Sequence, residues 1–189
     1  MTSPDARARL ADIIYRRSFG RGEIKLASGQ VSDYYFDMKP SMLDPEGSAT
    51  IANMLLERVV AAGAEFVGGL ELGAVPITGS VCAVSVAAGK PVRGFIVRKQ
   101  AKGHGAQKKV EGLARGESLE GKKIAILEDV TTTGGSAALA IEVCRAGGAE
   151  IALVVSIVDR DEGAAEFFKG LGVKFESLFK ATEFRSRKD

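Results

Sequence analysis

Residues 124–136 read IAILEDVTTTGGS, and this run constrains the fold more than any other part of the chain. Residues 124–127 form an unbroken apolar segment of strand length. Such a strand is stable only when both of its faces are covered. That requirement points to a parallel sheet with helices on either side. Glu128 and Asp129 follow, then a Thr- and Gly-rich turn over 131–136, then the start of a helix. In open α/β sheets, ligands gather at the carboxyl ends of the strands. A turn of this composition opening a helix supplies free backbone N–H groups, hydroxyl donors and the positive end of a helix dipole. Together these make a phosphate cradle. Gly134 and Gly135 allow a ligand close to the backbone, where a side chain would block it. Two carboxylates do not suit a phosphate. They suit sugar hydroxyls, a cation, or a carbon that becomes cationic beside that phosphate. Neither GxxxxGK[ST] nor a GxGxxG following a strand occurs in the chain, so the two commoner phosphate loops are excluded.

The rest of the sequence alternates in the same manner. Helices are predicted over 45–62, 75–88, 136–146 and 163–171, and strands over 66–71, 91–97, 123–130, 151–158 and 175–179. The first of these helices has Asp44 as N-cap, Pro45 at its first position and Gly63 beyond its end. Its apolar residues Ile51, Met54, Leu55, Val59 and Val60 recur at helical spacing. Strands separated by helices of this length form right-handed βαβ units. The first 40 residues break the alternation. A helix over 5–19 precedes a Gly- and Ser-punctuated stretch containing the strand-like DYYFDMK. The expected organisation is a small N-terminal hood over residues 1–40, packed on an α/β core over 41–189.

Composition narrows the class of partner. Lys and Arg exceed Asp and Glu by 26 to 24, a net charge of +2, too balanced to favour nucleic acid or a membrane surface. The first 20 residues mix charges throughout and lack the apolar core of a signal peptide. No stretch approaches 18 uncharged apolar residues. Only Cys82 and Cys144 occur, so no disulfide framework carries the fold, and both are expected as buried, inert thiols. A soluble cytoplasmic protein is the expectation.

A second segment carries chemistry. Residues 98–112, RKQAKGHGAQKKVEG, place five cations among twelve positions, with three glycines and the chain's one histidine. So little apolar surface predicts a mobile loop, and its charge suits a lid closing on a polyanion. Arg98, Lys99 and Lys102 are placed to neutralise a diphosphate, and His104 to donate a hydrogen bond or proton to it. No aromatic residue interleaves with these charges, which argues against RNA.

The run at 124–136 resembles the phosphoribosyl-diphosphate (PRPP) signature of the type I phosphoribosyltransferases. The RKxxKxHG pattern at 98–105 is similar to the flexible catalytic loop of the orotate phosphoribosyltransferases within them. The resemblance covers about residues 15–180. It implies a type I phosphoribosyltransferase-like parallel sheet flanked by helices, Mg²⁺ dependence and transfer through an oxocarbenium-like ribosyl centre to orotate. It also implies a homodimer in which the loop, residues 99–111, reaches the neighbouring subunit's site. It assigns PRPP binding to Arg98, Lys99, Lys102, His104, Glu128, Asp129, Val130, Thr131, Thr132, Thr133, Gly134, Gly135 and Ser136. Lys99, Lys102, His104 and Asp129 carry the catalytic roles. Thr132, Arg160, Tyr35 and Phe36 contact orotate, and the metal is held mainly through PRPP rather than by side chains. Taken alone, Arg160 would pair with Asp159 or Asp161, and Tyr34, Tyr35 and Phe36 would form an aromatic core strand. The chain departs from many family members at Ala27, where a lysine is usual, and at Leu72-Gly73, where a Tyr-Lys pair is usual. A purine or uracil acceptor is disfavoured by the loop and by Arg160. A PRPP-binding regulator without turnover is disfavoured by Lys102, His104 and Asp129.

Overall fold

The computed structural model describes residues 4–25, 31–100 and 109–187. Its centre is a six-stranded sheet in the order β5-β4-β3-β6-β7-β8. The strands are β3 (Phe66–Leu70), β4 (Arg93–Val97), β5 (Val110–Glu111), β6 (Lys123–Thr131), β7 (Glu150–Asp159) and β8 (Phe175–Lys180). Five are mutually parallel, and only the short edge strand β5 runs antiparallel to its neighbour β4. Alternation along β6 explains its apolar run. Ala125 and Leu127 pack in the core on one face of the sheet, and Ile124 and Ile126 in the core on the other.

The first face is covered by α1 (Pro4–Arg17), α3 (Pro45–Ala61) and α4 (Ala74–Ala87), the second by α5 (Gly135–Ala146) and α6 (Ala164–Gly170). Helix α3 begins where its cap chemistry dictates. The Asp44 carboxylate accepts the Gly47 N–H at 2.9 Å, and Pro45 occupies the first turn. Ile51, Met54, Leu55 and Val59 are buried as the spacing requires, but Val60 is turned outward, 37% exposed. One position of helical rotation carries it past the edge of the buried stripe. Cys144 is buried, and burial pushes its thiol up to about 12. Cys82 is only half-buried.

The N-terminal segment adds a hairpin, β1 (Phe19–Lys25) paired antiparallel with β2 (Val31–Phe36), and a short helix α2 (Lys39–Met42). Leu10, Ile14, Tyr34, Met38 and Met42 join the same core as the sheet's first face. The C-terminal helix α7 (Thr182–Arg185) locks onto it, with Phe184 packed edge-on to Phe36 and Arg7 paired with Glu183. β1, with two glycines and three charged residues beside its two large apolar ones, carries too little alternation to be read from sequence. A register shift between Arg21 and Ile24 breaks its pairing as well. Among the described residues no helix is long and apolar enough to cross a membrane.

Candidate active site

The order of the strands creates a crevice. From β3 the chain moves to β4 on one side, then returns to β6 on the other, so the winding reverses between β3 and β6. Ligand sites in open sheets form at such a reversal. The pairing of β3 with β6 ends at Gly68↔Ile126, whereas β6 stays paired with β7 as far as Thr131↔Asp159. Two strand-to-helix turns therefore flank the crevice, residues 71–73 leading into α4 and residues 132–134 leading into α5.

The second turn is the one singled out by its sequence. Gly134 is the N-cap of α5 at φ 94°, in the left-handed region, and no side chain caps the helix. A Cβ at Gly134 would also lie 2.8 Å from the Phe168 ring. The first N–H groups of α5 are thus left uncapped by the protein, at the positive end of its dipole. Thr133, Gly135 and Ser136 are exposed there, and Thr132 is half-buried. Thr131 is buried, with a hydroxyl that has no hydrogen-bond partner among the described residues.

Glu128 and Asp129 leave the strand in succession and so face opposite ways. Glu128 is 6% exposed, and burial pushes its carboxyl up to about 8, with the Asp129 charge adding and Lys99 opposing. Burial raises Asp129 as well, partly offset by the Val130 N–H, which donates to Asp129 Oδ1 at 2.9 Å. Asp129 crosses the crevice: a Cβ on Gly73 would lie 2.6 Å from its Oδ1. Gly73 thus leaves room for the Asp129 carboxylate, which any side chain there would crowd. Replacing Gly73 by Ala should displace that carboxylate, lowering kcat by roughly 10-fold or more with little change in Tm. Steady-state kinetics beside a melting curve check this, and an unaltered kcat would disprove it.

The basic loop springs from the sheet edge. Ile96↔Glu111 and Val97↔Val110 join its two roots, and the Arg98 N–H donates to the Lys109 carbonyl at 2.8 Å. Arg98 Nη1 reaches Glu111 Oε1 at 3.5 Å. The Lys99 N–H donates to Glu71 Oε1 at 2.8 Å, tying the loop's start to the turn after β3. Lys102 and His104 lie outside the described residues.

Arg160, at the end of β7, lies beside the turn after β6, its N–H donating to the Thr131 carbonyl at 2.9 Å. Its side chain pairs with Glu162, Nε to Oε1 at 2.7 Å, and not with Asp159 or Asp161. Those two are engaged by Lys180 of β8. Arg160 Nη2 donates to Ser32 Oγ at 3.0 Å, and its Cζ stands 4.4 Å from the centre of the Tyr34 ring. On β2, alternation puts Tyr34 and Phe36 together in an aromatic cluster with Phe19. Tyr35 points away, 41% exposed, with its ring across Gly20. Sequence reasoning therefore missed Tyr34, Ser32 and Glu162 as neighbours of Arg160. Period-two spacing from Phe36 was the one signal available for Tyr34. A cavity of about 480 Å³, lined by Val110, Leu113, Leu119, Val143 and Cys144 among others, sits at the far end of α5 and takes no part in this crevice.

No family model matches the chain. Its relatives are informative. The orotate phosphoribosyltransferase of Rhodopseudomonas palustris (strain BisB5) is 55% identical over 187 residues, covering 99% of this chain and 100% of that one. Among solved structures, Mycobacterium tuberculosis orotate phosphoribosyltransferase in complex with Fe(III) dicitrate matches with a TM-score of 0.82 at 35% identity. That match covers 95% of this chain and 98% of the other. The same enzyme in complex with PRPP gives a TM-score of 0.78 at 31% identity, over 95% and 99% of the two chains. A crevice at the reversal of strand order, an uncapped Thr/Gly turn and full-length relatedness of this degree agree: the chain belongs to the orotate phosphoribosyltransferase family.

Proposed function

We propose that this protein transfers the 5-phosphoribosyl group of PRPP to orotate, giving orotidine 5′-phosphate and diphosphate, a step in the synthesis of pyrimidine nucleotides. The observation that carries the reading is the uncapped start of α5 behind Gly134, with Asp129 reaching across the crevice to Gly73. The N–H groups and hydroxyls of residues 131–136 hold the 5-phosphate. Asp129 and Glu128 flank the strand end where the ribose lies, accept its hydroxyls and stabilise positive charge at the anomeric carbon. Lys99, Lys102 and His104 close over the leaving diphosphate. Arg160 takes the orotate carboxylate and Thr132 bounds the base, whereas Tyr35 is turned to the other face of β2 and Phe36 is packed among Phe19, Tyr34 and Phe184. The attacking ring nitrogen belongs to an anionic substrate, so the protein need supply no strong base.

The reading brings with it Mg²⁺, a homodimer with shared sites and a cytoplasmic place of action. The donor set fits a metal that enters with its substrate. The turn is rich in N–H and hydroxyl groups, which hold phosphate, while Mg²⁺ keeps oxygen ligands from phosphate and water. Bound in this way, the cation would neutralise charge on the diphosphate. Loss of the ultraviolet band of orotate on adding PRPP and Mg²⁺ tests the activity, with uracil and hypoxanthine as controls. Consumption of PRPP with either control but not with orotate would refute the acceptor.

A further inference from the structure

Arg160 is nearly enclosed, its side chain 4% exposed, yet its guanidinium is held in a defined way. Nε donates to Glu162 Oε1 at 2.7 Å, Nη2 donates to Ser32 Oγ at 3.0 Å, and the Tyr34 ring lies 4.4 Å from Cζ. Ser32 Oγ in turn donates to the Tyr34 carbonyl at 2.9 Å, so the acceptor on β2 is itself oriented. Among the described residues, Glu162 is the acid that pairs with Arg160, because Asp159 and Asp161 belong to Lys180.

A guanidinium carries five N–H donors in one plane. Two are used here. Fixing Nε, one Nη2 N–H and the face of the plane fixes the direction of the other three. We infer that Glu162 is a positioning residue for acceptor recognition: it anchors Arg160 through Nε, so that Nη1 and the remaining Nη2 donor meet the carboxylate of orotate. This rests on the orotate reading given above.

Glu162 acts on the incoming carboxylate in two opposed ways. Its hydrogen bond holds the donor plane in place, which helps. Its negative charge competes for the same cation, which hinders. Glutamine separates the two, because its side-chain oxygen still accepts from Nε but carries no charge.

The test uses the full chain with PRPP and Mg²⁺, measuring KM for each substrate and the melting temperature. Glu162→Ala should raise the KM for orotate by roughly 10-fold. The KM for PRPP should stay within about twofold of wild type. Glu162→Gln should bring the orotate KM back to the wild-type value or below. The inference is overturned if both variants lower the orotate KM, which would mean that charge alone matters. It is equally overturned if Glu162→Ala moves both KM values together or leaves that of orotate unchanged. Should the alanine variant fold poorly, a tenfold rise in the glutamine variant decides against the inference. A wild-type protein that turns over PRPP only with another base removes the orotate reading itself, a result distinct from any of these.

Discussion

Mixing two inactive variants, Lys102→Ala and Asp129→Asn, and allowing subunits to re-associate should restore about a quarter of wild-type activity. Each parent is expected to lose roughly 10- to 100-fold or more, the cost of one charge-assisted contact to a developing charge. The recovery follows from the proposed homodimer, in which the loop carrying Lys102 serves the neighbouring subunit's site. Asp129 lies at the end of β6, inside the crevice, with its carboxylate against Gly73. The loop carrying Lys102 returns on β5, the outermost strand, and leaves from β4, two places from β6. That is roughly 10 Å at the usual strand spacing. The outcome turns on which subunit's site the loop serves. If it serves the neighbouring subunit, half of the mixed dimers are hybrids, and each hybrid has one site with both groups intact. If it serves its own subunit, no hybrid site is intact and the mixture stays as inactive as its parents. Assay of the mixture against each variant alone separates the two outcomes.

Glu128→Gln should stabilise the substrate-free protein at alkaline pH while impairing turnover. The Glu128 carboxyl is pushed up to about 8, mainly by burial and next by the charge of Asp129. The folded state therefore holds a proton that the unfolded chain, with an ordinary carboxylate near 4.5, has released. Stability linked to this proton is complete below the unfolded value and is lost as pH rises through about 8. Each pKa unit corresponds to ~1.4 kcal/mol, so the penalty at pH 8.5 is on the order of a few kcal/mol. Glutamine cannot ionise and escapes it. Its melting temperature should exceed that of wild type by roughly 5 °C or more at pH 8.5, with the difference vanishing near pH 4. Above pH 8, where the wild-type carboxylate is ionised, activity should fall about 10-fold or more, because a neutral amide lacks the negative charge beside the anomeric carbon. Equal melting temperatures across the pH range would show that Glu128 is ionised at no cost to the fold. Such a trade of stability for function is expected where charge is buried to meet a transition state.

Much of the fold could be read from local pattern, for a physical reason. Helix α3 starts at Asp44 and Pro45 because its capping chemistry involves residues three positions apart. β6 was visible because a strand buried on both faces has nothing but apolar residues over its middle, and the glycine-punctuated turn after it because its backbone needs Gly134. Short or glycine-rich pieces escaped. β1 and β5 owe their extended form to partners, β2 and β4, not to their own composition. The outward turn of Val60 depended on where the buried stripe of α3 ends.

The order of elements and the glycine-punctuated turn after β6 were legible in the chain alone, since both are written in residues adjacent along it. Tertiary structure alone decided which partners the charged groups take. Arg160 has three acids within two positions, and no spacing rule ranks them. Lys180 arrives from β8 and claims Asp159 and Asp161, leaving Glu162. Tyr34 meets Arg160 across 126 positions of sequence only because the hairpin folds over the end of β7. Likewise Asp129 and Gly73 come together only where β3 and β6 part. Such contacts depend on through-space electrostatics and close packing, which the sheet's winding brings about and local sequence does not encode.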